Sequence, residues 1–289
     1  MAKVALVKGD DRRENVRSAL ELIKDEVAHE VAGKRVVIKP NFVSIRRQLA
    51  ATHLDATRGI LDFLRDMETE SLIIAEGACG STEEGYKNFG YTALVDEYGV
   101  ELRDLNSDSY EYLYVLDNRL HPLPLRIART ILDPDACIIS ACNLKTHDSV
   151  LATLSLKNLL MGMILHGDKS SMHQGTKEIN FNLFLLAQRV RPHLAVIDGF
   201  TGMQGNGPVS GEPIETRVAI ASTDFLAADR VGLEVMGIKF EDVGYLQFCA
   251  QAGLGEGDLK NIELLGTPLK ECRKKFARHS SFKRQLAWK

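Results

Sequence analysis

Short apolar runs rich in β-branched residues alternate along the chain with longer segments whose apolar residues recur at helical spacing. The short runs predict strands, and the longer segments predict helices between them. The predicted strands are Lys3–Val7, Arg35–Lys39, Leu72–Glu76, Glu101–Leu105, Glu111–Leu116, Ala136–Ser140, Leu194–Asp198, Arg217–Ser222 and Ile262–Leu265. The predicted helices are Arg13–His29, Asp55–Asp66, Tyr91–Tyr98, Leu154–Leu165, Asn180–Val190, Phe225–Met236 and Val243–Ala252.

This alternation predicts an α/β fold with a mostly parallel sheet that is covered by helices on both faces. Several strands are apolar without alternation, as is typical of central strands buried on both sides. Residues 107–124 break the rhythm and indicate an irregular or hairpin insertion. One α/β domain over residues 1–267 is the preferred organisation, and two closely packed subdomains is the alternative. A basic helix or tail follows at residues 268–289.

The composition is that of an ordinary globular chain, with 289 residues of which 45% are hydrophobic and 26% charged. The net charge of −3 is uneven, because eight basic residues and one acid lie between Lys270 and the end. Such an end can bind nucleic acid or a membrane surface, but more often it is solvated or pairs with an acidic body. The acidic remainder and the 7% aromatic content argue against nucleic acid.

The cysteines and the hydropathy pattern bear on the compartment. The chain has five cysteines and no Cys-x-x-Cys pair, unlike disulfide scaffolds and zinc ribbons. It has no signal-peptide pattern at its start, and no run approaches the roughly 20 apolar residues of a membrane helix. We therefore expect a cytoplasmic protein that does not use a membrane.

Candidate chemistry lies after the strands, because ligands of parallel sheets bind beyond the carboxyl ends. One strand ends on Lys39, and Asn41 follows in a turn that Pro40 fixes. Both residues are predicted to bind a ligand. The alternative for Lys39 is a lysine at the surface, with only its aliphatic stem buried. The small residues after Glu76 resemble half of a phosphate loop, although helix capping by Ser81 or Thr82 explains much of that pattern.

The densest polar group is Cys142–Ser149, predicted as a loop after the strand Ala136–Ser140. Its Lys145 is predicted to bind an anion. Its His147 suits proton transfer or metal ligation, and a histidine bonded to the loop backbone is the alternative.

An apolar helical segment downstream carries Lys157 and Asn158. An inward-facing lysine in such a segment can act as base or nucleophile, or bind a carboxylate or phosphate. A surface-facing lysine is the alternative. The polar residues 166–177 are either a lid over the site or an ordinary surface loop.

A glycine-rich stretch follows the strand that ends at Asp198, with five glycines in the thirteen residues 199–211. Gly202, Gly205 and Gly207 are predicted to form an anion-binding nest, and a series of turns is the alternative. The spacing is neither a dinucleotide fingerprint nor a Walker motif. Asp198 is a candidate general base or metal ligand.

A divalent metal stays open at this point. Its ligands would be side chains that the sequence alone cannot bring together, namely Glu76, His147, His173 and Asp198. Their spacings are not those of standard metal sites.

Five segments together resemble the prokaryotic domain-of-unknown-function 362 family. They are Val37-Ile-Lys-Pro-Asn41, Asn143-Leu-Lys-Thr-His147, Ser155-Leu-Lys-Asn-Leu-x-x-Gly162, Asp198-Gly-x-x-Gly-Met-x-Gly-x-Gly-Pro208 and Ser222-Thr-Asp-x-x-Ala-x-Asp229. The resemblance spans roughly Val4 to Leu265 and implies an α/β fold with a site near these motifs, but no particular reaction. Some members are joined to iron–sulphur ferredoxin modules. This chain lacks the cysteine run of such clusters, so any redox role requires a separate partner protein.

The sequence therefore favours an enzyme, of undetermined reaction class, that binds a small anionic metabolite at the strand ends. Lys39, Asn41, Lys145, Asn158 and the three glycines would hold the anion, and His147, Asp198 and Lys157 would do the chemistry. A non-catalytic cofactor-binding or carrier module for an iron–sulphur partner is the first alternative. A nucleic-acid-associated protein that uses the basic end is the second.

Overall fold

A computed structural model describes all 289 residues as an α/β fold. The strands are β1 (Ala2–Lys8), β2 (Arg35–Lys39), β3 (Ser71–Glu76), β4 (Glu101–Asp104), β5 (Tyr110–Leu116), β6 (Pro122–Ala128), β7 (Ala136–His147), β8 (Leu151–Thr153), β9 (Leu194–Gln204), β10 (Glu212–Ser222) and β11 (Ile262–Gly266). The helices are α1 (Arg12–Glu21), α2 (Lys24–Val31), α3 (Leu54–Leu64), α4 (Thr82–Asn88), α5 (Ala93–Tyr98), α6 (Arg129–Leu132), α7 (Ser155–Gly162), α8 (Thr176–Ala187), α9 (Phe225–Met236), α10 (Gly244–Gln251), α11 (Leu269–Cys272) and α12 (Phe282–Gln285).

Nine strands form one mixed sheet in the order β11-β1-β10-β9-β7-β2-β3-β4, with β8 paired to β7. The pairs from β9 through β7, β2 and β3 to β4 are all parallel, whereas β10 is antiparallel to both of its neighbours. The carboxyl ends of β2, β3 and β7 therefore lie side by side at one edge of the sheet. The prediction of a mostly parallel sheet is confirmed.

Each face of the sheet carries its own hydrophobic core. Val37 points to a cluster that includes residues of α7 to α10, and its neighbours Val36 and Ile38 point to a cluster with residues of α1 to α5. Successive side chains of a strand alternate between the two faces, so an unbroken apolar run fills both cores. This confirms that helices cover both faces.

The insertion at residues 107–124 is a hairpin, in which β5 and β6 form a separate two-stranded sheet. The strand β6 extends it to Ala128 and was not predicted, because Pro122 and Pro124 argue against a strand. The helix predicted over Arg13–His29 is two helices, α1 and α2. The buried spacing of Val16, Leu20, Ile23 and Val27 continues across the break, which is why the pattern resembles one helix.

Three strands are five or more residues longer than predicted, and one of them is β10, which begins at Glu212 and not at Arg217. β7 continues from Ser140 to His147, and β9 continues from Asp198 to Gln204. The extension of β7 pairs with β8, and that of β9 pairs with β10. The predictions of a polar loop from Cys142 and of a glycine loop from Gly199 are therefore wrong for these residues, because pairing partners from later in the chain hold them in the sheet.

The basic end of the chain packs on the body. Cys272, Phe276 and Gln285 are buried, while all eight basic side chains of this segment are exposed. The Gln285 side chain donates to the carbonyl of His147 and accepts from the N–H of Leu151. No helix in the chain is long and apolar enough to span a bilayer.

Candidate functional site

A cavity of about 360 Å³ opens at the carboxyl ends of β2, β3 and β7, under α7 and the 3₁₀ segment His166–Met172. Five of the residues predicted from the sequence line it, namely Lys39, Asn41, His147, Lys157 and Asn158. A larger depression of about 590 Å³ lies near Asp133 and Asp224, and it contains none of the predicted residues. The smaller cavity is therefore the candidate site.

The floor of the cavity is a buried ion pair. The Lys39 ammonium is fully buried and lies 2.7 Å from a carboxylate oxygen of Glu76. It also donates to Asn158 Oδ1 at 2.8 Å and to the carbonyl of Pro40 at 2.6 Å. Because Glu76 neutralises it and both other partners are protein atoms, Lys39 holds the site together and does not present a free charge.

Asn158 joins three elements at the floor. Its Oδ1 also accepts from Asn41 Nδ2 at 2.9 Å, and its own Nδ2 donates to Ser140 Oγ at 3.0 Å and to the carbonyl of Lys39 at 3.2 Å. These bonds tie α7 to the ends of β2 and β7. Lys145 continues the network from outside the cavity, because its ammonium donates to Asn41 Oδ1 and to the carbonyl of Ala50.

Helix α7 approaches the strand ends very closely at Gly162. A Cβ on this glycine would lie 1.8 Å from Lys39 Cε, which no side-chain atom can tolerate. The absence of a side chain at Gly162 therefore allows α7 to cover the Lys39 stem, and with it the floor of the cavity.

The amino end of α7 is held by a buried carboxylate. Asp229 accepts from the N–H and the hydroxyl of Ser155, at 2.8 and 2.6 Å, and from the N–H of Leu156 at 3.2 Å. Burial raises the pKa of Asp229 to about 7, and the hydrogen bonds from Ser155 oppose that shift. This carboxylate anchors the helix that carries Lys157 and Asn158.

We expect Asp229→Asn to lower the free energy of unfolding by about 1–2 kcal/mol, because an amide nitrogen then faces N–H groups of the helix. It should also weaken anion binding in the cavity, since α7 shifts. Asp224→Asn is the matched control, because Asp224 caps α9 in the same way. Urea unfolding and calorimetry with sulfate check both variants. Equal sulfate affinity in the two would contradict a positioning role for Asp229.

Lys157 presents a free charge. The residue is 5% exposed, its side chain lines the cavity, and its ammonium has no hydrogen bond or salt bridge to any protein group. Burial lowers its pKa to about 8, and the charge of Asp148 opposes that shift. The free energy of a buried ammonium is unfavourable unless an anion approaches it.

A second ammonium lies beside it. Lys169, from the 3₁₀ segment, is 8% exposed and donates to the carbonyl of Met161 at 2.9 Å. Burial lowers its pKa to about 8 as well, and Glu76 opposes the shift. The residues predicted as a lid or a surface loop thus contribute a cation to the cavity wall.

His147 is neutral at physiological pH. Burial and the charge of Lys157 lower its pKa to about 3. Its Nδ1 lies 3.1 Å from the N–H of Ser149 and 3.0 Å from Asp148 Oδ1, so it accepts from the first or donates to the second. The ring lines the cavity, and its Nε2 has no hydrogen-bond partner in the protein. A neutral imidazole can exchange a proton with a ligand.

Comparison with known proteins places the chain in a family. The model described as "Domain of unknown function (DUF362)" matches residues 36–234. The chain belongs to this family. It is 26% identical over 210 residues to the thylakoid-associated protein sll1697 of Synechocystis sp., an alignment that covers 71% of this chain and 63% of the relative.

A crystal structure of a Thermotoga maritima protein is also similar, with a TM-score of 0.42 and 13% identity over 75% of this chain and 57% of that one. The chain thus spans roughly three fifths of the length of each protein.

Three of the family motifs meet at the cavity. They supply Lys39 and Asn41, then His147, and then Lys157 and Asn158. The fourth motif contributes Pro208 to the wall.

The three predicted glycines of the fourth motif do not line the cavity. Gly202 packs on the Phe276 ring, and Gly205 donates its N–H to the carbonyl of Ala277. A Cβ on Gly207 would lie 2.1 Å from the carbonyl oxygen of Thr146, so this glycine serves close packing of the backbone.

Asp198 also lies outside the cavity. Its carboxylate is buried, 3.1 Å from Arg12 Nε, and accepts from the N–H of Phe200. Burial raises its pKa, and the charge of Arg12 opposes the shift. The structure therefore gives Asp198 a partner from α1 and does not bring it to His147.

The sequence reasoning missed two residues of the wall, Lys169 and Cys79. Cys79 belongs to the run of small residues after Glu76, which was the available signal. Of the four side chains weighed as metal ligands, Glu76, His147 and His173 line the cavity, whereas Asp198 lies elsewhere beside Arg12. No group of three or more His, Cys, Asp or Glu side chains in the chain is placed to hold a metal ion.

Proposed function

We propose that this chain is an enzyme that binds a small metabolite in the cavity through a carboxylate or phosphate group. The free ammonium of Lys157 carries the proposal. Burying a cation without a counter-charge costs free energy, and an anionic ligand would remove that cost. The volume of about 360 Å³ suits a small metabolite.

The electrostatics of the wall support the same ligand class. Glu76 neutralises Lys39, so its charge does not compete for the anion. Lys157 and Lys169 remain as two cations around the empty space. The only other nearby carboxylate of the wall, Asp148, is half-exposed and screened by water.

His147 is the proposed catalytic residue, because its ring lines the cavity, whereas Lys157 holds the anion in its protonated form. As a neutral imidazole with a pKa of about 3, His147 would donate a hydrogen bond from Nε2 that polarises the bound ligand. Proton abstraction next to the bound carboxylate is the compatible reaction. A carrier module would bind the same ligand without converting it.

The five free thiols support a cytoplasmic setting for this proposal.

The pH dependence of sulfate binding tests the proposal, because sulfate does not titrate in the range used. We expect affinity, measured by calorimetry from pH 6 to 10, to be constant below pH 8 and to fall above it. Lys157 has a folded-state pKa of about 8, so above that pH it must regain a proton when the anion binds. Each lysine that does so contributes up to about tenfold per pH unit.

Lys157→Arg is the informative variant, since arginine stays protonated throughout. It should bind sulfate with a shallower decline, because one proton is no longer taken up. Lys177→Met, which removes an exposed lysine from the neighbouring segment, should behave like the unaltered protein. Failure of the unaltered protein to bind sulfate at any pH would refute the anion site.

A further inference from the structure

Cys79 is the one exposed cysteine of the five, and it lies on the cavity wall. The other four thiols are buried in the cores. Neither the ion pair of the floor nor the proposed acid–base chemistry uses Cys79. Its surroundings contain an independent sign of a ligand, because the buried ammonium of Lys157 has no partner and lines the same cavity.

We infer that Cys79 is a nucleophile that forms a thioether with anionic metabolites carrying an electrophilic carbon. The inference rests on the proposed anion site and extends it to a substrate class. Lys157 and Lys169 would hold the carboxylate or phosphate, and the sulphur would attack the carbon next to it. The sulphur–carbon bond forms as the bond from that carbon to its leaving group breaks, the leaving group departs with the electron pair, and the thiol proton passes to water.

The loop that carries Cys79 is well placed for this role. Gly77 lets the backbone approach the end of α7, since a Cβ there would lie 2.5 Å from the carbonyl oxygen of Gly162 and 3.3 Å from the Lys169 ammonium. The N–H of Cys79 donates to the carbonyl of Phe42 at 3.4 Å, which fixes the loop beside the end of β2. Lys157 and Lys169 line the same cavity as Cys79.

Iodoacetate and iodoacetamide are the probes, because they share a reactive carbon and differ in charge. In each reaction the sulphur–carbon bond forms, the carbon–iodine bond breaks, iodide leaves with the electron pair, and the thiol proton passes to the buffer. Holding the anion beside the sulphur raises the effective concentration of iodoacetate alone.

Rates are measured on the native full chain by intact-mass spectrometry. We expect the ratio of the iodoacetate rate to the iodoacetamide rate to exceed that of free cysteine by about tenfold or more. Sulfate should suppress the excess, Lys157→Met should abolish it, and Lys177→Met should retain it. Cys79→Ser should remove the labelling, since the remaining thiols are buried.

A ratio equal to that of free cysteine overturns the inference, as does an elevated ratio that survives Lys157→Met. Calorimetry with sulfate on Cys79→Ser separates the two proposals. Sulfate binding without rate selectivity retains the anion site and removes the nucleophile. Absence of both sulfate binding and rate selectivity removes both.

Discussion

Lys157→Met should weaken sulfate binding by about tenfold or more, which corresponds to about 1.4 kcal/mol or more, and should leave the fold at least as stable. The ammonium has no protein partner to lose. Methionine is unbranched and of similar length, so it can occupy the path of the lysine stem. The variant therefore removes a buried charge without opening a space, and calorimetry with urea unfolding measures both effects.

The stability change has a defined pH dependence. Burial lowers the pKa of Lys157 from 10.5 to about 8, so the charged form is disfavoured in the folded chain. The free-energy cost of burying the ammonium is fully present below pH 8. It disappears as the pH rises through 10.5, where Lys157 of the unfolded chain also loses its proton. The stability gain of Lys157→Met should therefore be largest below pH 8 and should disappear as the pH rises through 10.5. A marked loss of stability with unchanged sulfate affinity would mean that Lys157 has a purely structural role.

Much of the site was predictable because parallel strands gather their carboxyl ends at one edge. Lys39 ends β2 and Asn41 follows it, and Lys157 and Asn158 lie in α7, the helix after the β7–β8 pair. Their convergence follows from the fold class together with the rule that ligands bind at this edge. The prediction needed the order of strands and helices, but no detail of side-chain contacts.

The remaining residues depend on contacts between distant parts of the chain. Asp198 was predicted as a strand-end carboxylate like Glu76, yet it lies within β9 and its partner is Arg12 of α1. The glycines after it pack against the basic end of the chain and β7, as Gly202 does on Phe276. Lys169 reaches the wall because the hairpin holds its segment through Arg126 and Asp168. No local pattern in the sequence encodes these pairings.

Glu76→Gln should cost about 3–5 kcal/mol of unfolding free energy, because it leaves the Lys39 ammonium buried without its counter-charge. Lys39 is fully buried and Glu76 is 2% exposed, so water cannot replace the lost carboxylate. Urea unfolding gives the magnitude. Glu30→Gln is the matched control, since its 4.0 Å pair with Lys34 is partly exposed and should contribute less than about 1 kcal/mol.

The double variant Lys39→Met/Glu76→Gln distinguishes the pair from its parts. Because neither residue then leaves an unpaired charge, we expect it to be more stable than Glu76→Gln. Sulfate should still bind to Glu76→Gln wherever that variant is folded, since the change removes a negative charge from the wall. Lys157→Met is thus expected to lose sulfate affinity and keep its stability. Glu76→Gln is expected to lose stability and keep its sulfate affinity. Loss of sulfate binding by the folded double variant, with binding retained by Lys157→Met, would place Lys39, and not Lys157, at the anion.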